Sequence, residues 1–305
     1  MYINMNYTEP VVKGEKYTKM LPKGFSLVLE GGGTRGFYSA GVFEAFMDNS
    51  IMFPYIIGVS AGAANALTYI AGQKERNRVL IEKYVGDKRY LSKRNLLKHK
   101  SLFGFDFIFG EVPKKHLFWD EETFKNTDIR FLTGAANCKT GKTIWFEKQT
   151  LKDEFTAVRA SCSIPIMSKI VEFMGYELLD GGITDPIPIE KSIEDGNDFH
   201  VIVLTRNQGY RKNKFSHKWL IKLIYKKYPQ LIRAIMNRHE VYNRQLKLCE
   251  SLEKEGKALI IRPILPLEVD STGKNIKKLL ELYDEGHREG KLIMDKLQIL
   301  CPFLN

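Results

Sequence analysis

Residues 53–62 read FPYIIGVSAG and residues 25–36 read FSLVLEGGGTRG. Each is a short apolar run that ends in glycines and leads into helical apolar spacing, at 61–70 after the first and at 37–48 (FYSAGVFEAFMD) after the second. An apolar run without polar alternation suits a strand covered on both faces, as in a parallel sheet. Further apolar strands are expected at 129–135, 142–147 (after the glycine-containing CKTGK), 200–205 (HVIVLT) and 258–262 (ALIIR). Helical patterns cover 151–161, 218–255 with a break near Pro229, and 275–300. Strands alternating with helices give an α/β fold with a mostly parallel central sheet and helices on both faces.

Residues 58–62, Gly58-Val59-Ser60-Ala61-Gly62, fit GxSxG at a strand-to-helix junction, the context of a nucleophile elbow. A serine on so tight a turn projects its side chain only where its neighbours lack bulk, which is the work of Gly58 and Gly62. The helix that follows puts its positive end at Ser60 and favours alkoxide character.

The upstream loop, Gly31-Gly32-Gly33-Thr34-Arg35-Gly36, fits GxGxxG between a strand and a helix. A dinucleotide site would also need an acidic residue ending the second strand, about 20 residues on. That strand ends in Gly-Val-Ser instead, and Asp48 precedes it. Backbone N–H groups of such a loop serve an oxyanion as well as a phosphate. Arg35 has two readings: assistance to the loop or contact with a lipid phosphate, and an ion pair that fixes the loop.

A nucleophilic serine needs a base. Asp180-Gly181-Gly182 follows the strand-like VEFMGYELL, so Asp180 stands at a strand end; a plain DGG turn reads the same way. Serine, aspartate, histidine is the triad order of α/β-hydrolases. Of the downstream histidines, His200 begins a strand and His239 and His287 lie on helical patterns. Only His217 sits in a loop-like stretch, and its lysine neighbours suit the start of a basic helix. Ser161 and Ser163 lack flanking glycines and read as structural.

GGGTRG after a first strand, GVSAG after a second and DGG downstream together resemble the patatin-like phospholipases, over about residues 25–190. RASCSIP before the DGG and DPIPI after it resemble the bacterial branch of that family. The loop has Thr34, and the acid motif is DGG where many members have DGA. The resemblance implies a three-layer α/β/α fold with C-terminal helices and hydrolysis of lipid acyl esters through an acyl-enzyme. It implies Ser60 and Asp180 as a catalytic dyad, with the loop Gly31, Gly32, Gly33 and Thr34 as oxyanion hole. No metal or cofactor is expected, and Asp185 and Asp195 lack calcium-site spacing. The competing expectations are a Ser–His–Asp esterase using His217, a nucleotide- or nucleic-acid-binding protein, and a catalytically silent relative.

The 305 residues carry a formal charge of +11 and are 44% hydrophobic, enough for a sizeable core. The expected organisation is an N-terminal arm over 1–22, a catalytic core over 23–205, and a basic helical part over 206–305 packed on the same domain. No nucleic-acid recognition signature accompanies the charge. Residues 206–250 hold twelve Lys and Arg against two acids, a net of +10. With Trp219, Tyr225 and Tyr228 interleaved, this stretch suits peripheral contact with an anionic bilayer, or equally a solvated basic helix packed on the core. SLFGFDFIFG (101–110) has four phenylalanines at alternating positions; a core strand is favoured over the lining of an acyl pocket. The four cysteines, Cys138, Cys162, Cys249 and Cys301, show no disulfide or zinc spacing, and the N-terminus lacks a signal-like apolar region. A cytoplasmic protein, peripheral at the inner face of the membrane, is expected. Residues 51–72 carry no charge, but Pro54, the glycines and Asn65 favour strand, turn and buried helix over a membrane span.

Overall fold

The computed structural model describes residues 12–151 and 155–301. Part of the expected arm (1–11) and part of the helix expected over 151–161 (152–154) lie outside these. The first half runs β1 (Lys19–Met20), β2 (Phe25–Leu29), α1 (Phe37–Asp48), β3 (Ile51–Met52), β4 (Tyr55–Val59), α2 (Ala61–Ile70), α3 (Arg76–Lys83) and α4 (Lys93–His99). Then follow α5 (Glu121–Asn126), β5 (Arg130–Asn137), β6 (Thr143–Glu147), α6 (Thr156–Ser161), β7 (Val171–Phe173) and β8 (Tyr176–Asp180). The last elements are α7 (Ile189–Glu194), β9 (Phe199–Val203), α8 (Lys218–Ile224), α9 (Pro229–Lys254), β10 (Ala258–Ile261) and α10 (Ile276–Leu300).

The central sheet has the order β10-β9-β2-β4-β5-β8-β7, with β6 also on β5. The five strands from β10 to β5 are parallel, and β6, β7 and β8 add antiparallel pairings. Successive side chains alternate between two buried layers. Leu27, Leu29, Ile56, Phe131 and Val201 pack with α1, α2 and α10, whereas Val28, Ile57, Leu132 and Ile202 pack with α7 and α9. Covering on both faces explains why these strands show no polar alternation. The three-layer α/β/α architecture is the one expected.

The register sets the site. On one edge of β5, β4 pairs from Arg130 to Gly134, where Val59 stands opposite. β6 overlaps both β4 and β8 along β5 and therefore occupies the other edge. β8 thus takes over the first edge at Ala135, opposite Asp180. The C-terminal ends of β4 and β8 meet tip to tip, one residue apart along β5.

α10 lies against α1 at backbone distance. A Cβ on Gly41 would come 1.9 Å from the Tyr283 carbonyl oxygen, and one on Gly286 would come 2.0 Å from that of Tyr38. Tyr283 donates its hydroxyl to Glu44 at 2.7 Å, and His287 Nε2 meets Asp48 Oδ2 at 2.8 Å.

The phenylalanine segment corrects the expected core strand. Apart from one bridge between Leu91 and Phe103, 101–110 makes no strand. It turns into a wide, π-helical stretch over Phe107–His116, which contains Pro113. Proline lacks the N–H that helical bonding requires, and such widened turns are frequent at functional sites. The uncharged window 51–72 forms β3, β4, the turn and α2. No helix among the described residues is long and apolar enough to cross a membrane.

Candidate active site

Ser60 has φ 53° and ψ −130°, outside the conformations favoured by side-chain-bearing residues. The strain is held by close packing. A Cβ on Gly62 would lie 2.7 Å from the Glu30 carbonyl oxygen, and one on Gly58 would lie 3.0 Å from the Ala63 nitrogen. Ser161, buried on α6, accepts from the Ser60 amide at 2.8 Å and donates to the Gly134 carbonyl at 2.6 Å. It ties the elbow to β5. The sequence marks it only as a serine in RASCSIP.

Asp180 Oδ2 accepts from Ser60 Oγ at 2.7 Å, while Oδ1 accepts from the Gly182 amide at 2.8 Å. Both residues are buried, each about 5% exposed. Burial pushes the Asp180 carboxyl above its ordinary range; the Arg238 guanidinium, the Ser60 hydroxyl and the Gly182 amide oppose that push. Arg238 itself donates from Nε to the Gly182 carbonyl. Nothing in the sequence tied it to the DGG turn, because it lies 58 residues on in a helix full of basic residues.

The downstream histidines are engaged elsewhere. His200 is buried against Ser26 Oγ at 2.7 Å, and burial pushes its pKa down to about 4. His217 precedes α8 and pairs with Ser216, His239 meets the Met236 carbonyl, and His287 meets Asp48. No histidine bonds to Ser60 or Asp180 among the described residues, which removes the His217 triad. Asp185 accepts from Gln245 at 2.6 Å, and Asp195 accepts from Tyr55 at 2.7 Å and Lys191 at 2.6 Å.

The glycine loop passes beside Ser60: a Cβ on Gly31 would come 3.0 Å from that of Ser60. Among the described residues, the amides of Gly31, Gly32 and Gly33 have no protein acceptor. Thr34 is different. Its amide donates to the Ser271 carbonyl at 3.1 Å and its hydroxyl to that of Asp270 at 3.0 Å. This corrects its place among the expected oxyanion donors: Thr34 is the loop's anchor, fastened by the segment between β10 and α10. The first α2 amide, that of Ala61, likewise has no acceptor among the described residues and stands next to Ser60. Among the described residues Arg35 forms no ion pair and its buried Nε has no hydrogen-bond partner, so none of them supplies a loop-fixing salt bridge.

Two cavities open from Ser60. One is apolar, with Phe37, Phe103, Phe105, Phe109, Trp119 and Phe155 among its lining residues. Three of the four phenylalanines of 101–110 thus face the site, the reading that alternation in the sequence disfavoured. The other cavity is polar and runs along the glycine loop past Asp180, Arg35, Arg206, Lys212 and Arg238.

A family model described as patatin-like phospholipase matches residues 27–192, more than half of the chain, and a domain of unknown function matches 228–301. An uncharacterized protein of Escherichia coli, YjjU, is 26% identical over 294 residues, covering 90% of this chain and 78% of the relative. An uncharacterized NTE family protein of Mycobacterium bovis is 27% identical over 178 residues; the match covers 54% of this chain and 44% of that one. The crystal structure of VipD from Legionella pneumophila aligns with a TM-score of 0.44 at 12% identity, over 94% of this chain and 71% of that chain. The matched 27–192 segment includes the glycine loop, the serine elbow and the aspartate turn that the sheet brings together, and on that match the chain belongs to the patatin-like phospholipase family.

Proposed function

We propose that the protein hydrolyses acyl esters of lipids with Ser60 as nucleophile and Asp180 as its base. The observation that carries this reading is the 2.7 Å hydrogen bond from Ser60 Oγ to Asp180 Oδ2 at the mouth of an aromatic-lined apolar cavity. The acyl chain enters that cavity. Ser60 Oγ attacks the ester carbonyl as its proton passes to Asp180, and the unpaired amides of Gly31, Gly32 and Gly33, with that of Ala61, stabilise the oxyanion. Asp180 returns the proton to the leaving alcohol. It then takes a proton from the water that releases the fatty acid and regenerates Ser60.

A fluorophosphonate probe is expected to label the folded protein once, on the peptide that contains Ser60, as read by mass spectrometry. A cooperatively melting protein that takes no label overturns the reading.

The same reading extends to a membrane surface. Ile221 of α8 is buried, but Trp219 and Leu223 are 66% and 64% exposed beside Lys218 and Lys222. Aromatic and aliphatic side chains flanked by lysines suit the interface of an anionic bilayer. Co-sedimentation with vesicles containing phosphatidylglycerol is expected to fall severalfold in Trp219→Ala with Leu223→Ala; unchanged binding sinks this extension.

A further inference from the structure

The polar cavity beside Ser60 gathers four cationic side chains from separate parts of the chain. Arg35 comes from the glycine loop, Arg206 and Lys212 from the connection between β9 and α8, and Arg238 from α9. None lies within ion-pair distance of a carboxylate among the described residues, and the Arg35 Nε is buried without a partner. The four side chains are half-buried, and like charges gathered where water is partly excluded repel, so an anion placed among them is favoured. Among the described residues, Glu30 is the one carboxylate lining the cavity besides Asp180. It accepts from the Thr205 amide at 2.6 Å, and burial pushes its carboxyl up against the pull of that amide, Arg35 and Lys212. Glu30 and Asp180 together face four cations, and the cavity keeps a positive excess. Asp180 is taken by Ser60 and Gly182.

The cluster is built into the fold. Lys212 is clamped to α9 through both backbone groups: its amide donates to Asn243 Oδ1 at 2.8 Å, and its carbonyl accepts from Asn243 Nδ2 at 3.1 Å. Burial, with Arg238, Arg35 and Arg206 nearby, pushes its ammonium down to about 7. Arg206 lies over the Tyr210 ring at 4.5 Å and Lys212 over the Tyr242 ring at 5.5 Å. One cation of the protein already stands over each ring, and its charge opposes the approach of a quaternary ammonium there.

We propose that Arg35, Arg206, Lys212 and Arg238 form a subsite for an anionic phosphate on the alcohol side of the ester, so that the preferred substrates are acyl esters of a phosphate-bearing alcohol without a cationic head group. The inference rests on the ester-hydrolase reading and specifies its substrate. The acyl chain lies on the aromatic side of Ser60, and the phosphate accepts from guanidinium groups on the other side.

The test compares kcat/KM for four esters of one acyl chain: acyl-glycerol phosphate, acyl-glycerophosphocholine, monoacylglycerol and the p-nitrophenyl ester. The phosphate monoester is expected to exceed the choline ester and the neutral glyceride at least about tenfold. In Arg206→Gln with Lys212→Gln, the ratio of phosphate ester to p-nitrophenyl ester is expected to fall at least about tenfold, mainly through KM. A variant that is simply misfolded loses both substrates together and keeps the ratio. Hydrolysis of the p-nitrophenyl ester with equal rates on the phosphate, choline and neutral lipids overturns the subsite and leaves the hydrolase standing. Thermal melting with inorganic phosphate and with glycerol phosphate covers a protein that turns over none of the four esters. Stabilisation of the native chain, absent in the double variant, supports the anion subsite; no stabilisation overturns it. Stabilisation by inorganic phosphate without any preference among the lipids also overturns it, since the cavity then takes free phosphate instead of a head group.

Discussion

Asp180→Asn is expected to lower kcat/KM for a p-nitrophenyl ester at least about a thousandfold while leaving the melting temperature at neutral pH unchanged or higher. Activity falls because an amide cannot take the Ser60 proton. Stability is kept because Asn is the same size and retains an oxygen for the Gly182 amide. Its NH2 group faces a serine hydroxyl that can accept as well as donate. It also removes a carboxyl that burial makes costly to ionise. The sign follows from linkage. With a folded pKa above the unfolded one, the native state holds the proton to higher pH. Stability therefore declines as pH rises from the ordinary aspartate range to the raised value, and the full cost is present above it. The Asn variant lacks that decline. For the wild-type protein the same shift places the acid limb of kcat/KM above the ordinary aspartate range, because only the carboxylate is a base. Near-full hydrolysis by Asp180→Asn, or an acid limb below the ordinary aspartate range, would falsify the dyad.

The second large effect is on folding. Gly286→Ala gains about 1 kcal/mol of helix propensity in an exposed helix. Here the added Cβ would stand 2.0 Å from the Tyr38 carbonyl oxygen, a backbone atom that cannot swing aside. Overpacking costs about 1–3 kcal/mol and occasionally more. An approach of 2.0 Å to a backbone atom belongs at the upper end, about 3 kcal/mol. Gly286→Ala is therefore expected to lose a net amount of about 2 kcal/mol after its propensity gain of about 1 kcal/mol. Urea denaturation measures it, and a variant as stable as the parent would show that α10 is free to move off α1. Activity should fall with stability, because the segment leading into α10 anchors Thr34.

Where the backbone is dictated by local pattern, the sequence is readable to the residue. Phe25–Leu29, Phe37–Asp48 and Ala61–Ile70 are bounded by glycines or by a change of period, and they form as expected. The three-layer order follows from strands without polar alternation. What local pattern cannot carry is convergence. Alternating phenylalanines suit a strand, but the chain coils into the π-helical stretch that contains Pro113, and Phe103, Phe105 and Phe109 line the apolar cavity at Ser60. The charge of 206–250 looks like one solvated face. In the fold, Lys218 and Lys222 lie on α8 with exposed apolar residues between them, whereas Arg206, Lys212 and Arg238 turn inward beside Asp180. Thr34 reads as one more loop amide until Ser271, 237 positions away, is found holding it.

That distant anchor also imposes an order in time. Chains emerge from the ribosome N-terminus first, and domains generally fold as units during synthesis. The glycine loop, the elbow and the aspartate turn are all made before residue 183, yet Thr34 waits for Asp270 and Ser271, and α1 waits for Gly286. Contacts spanning more than 200 residues are also slow to close. A nascent chain therefore carries Ser60 and Asp180 while residues 183–270 are made with the glycine loop still unanchored, and on the proposed ester-hydrolase reading competence arrives only when α10 docks.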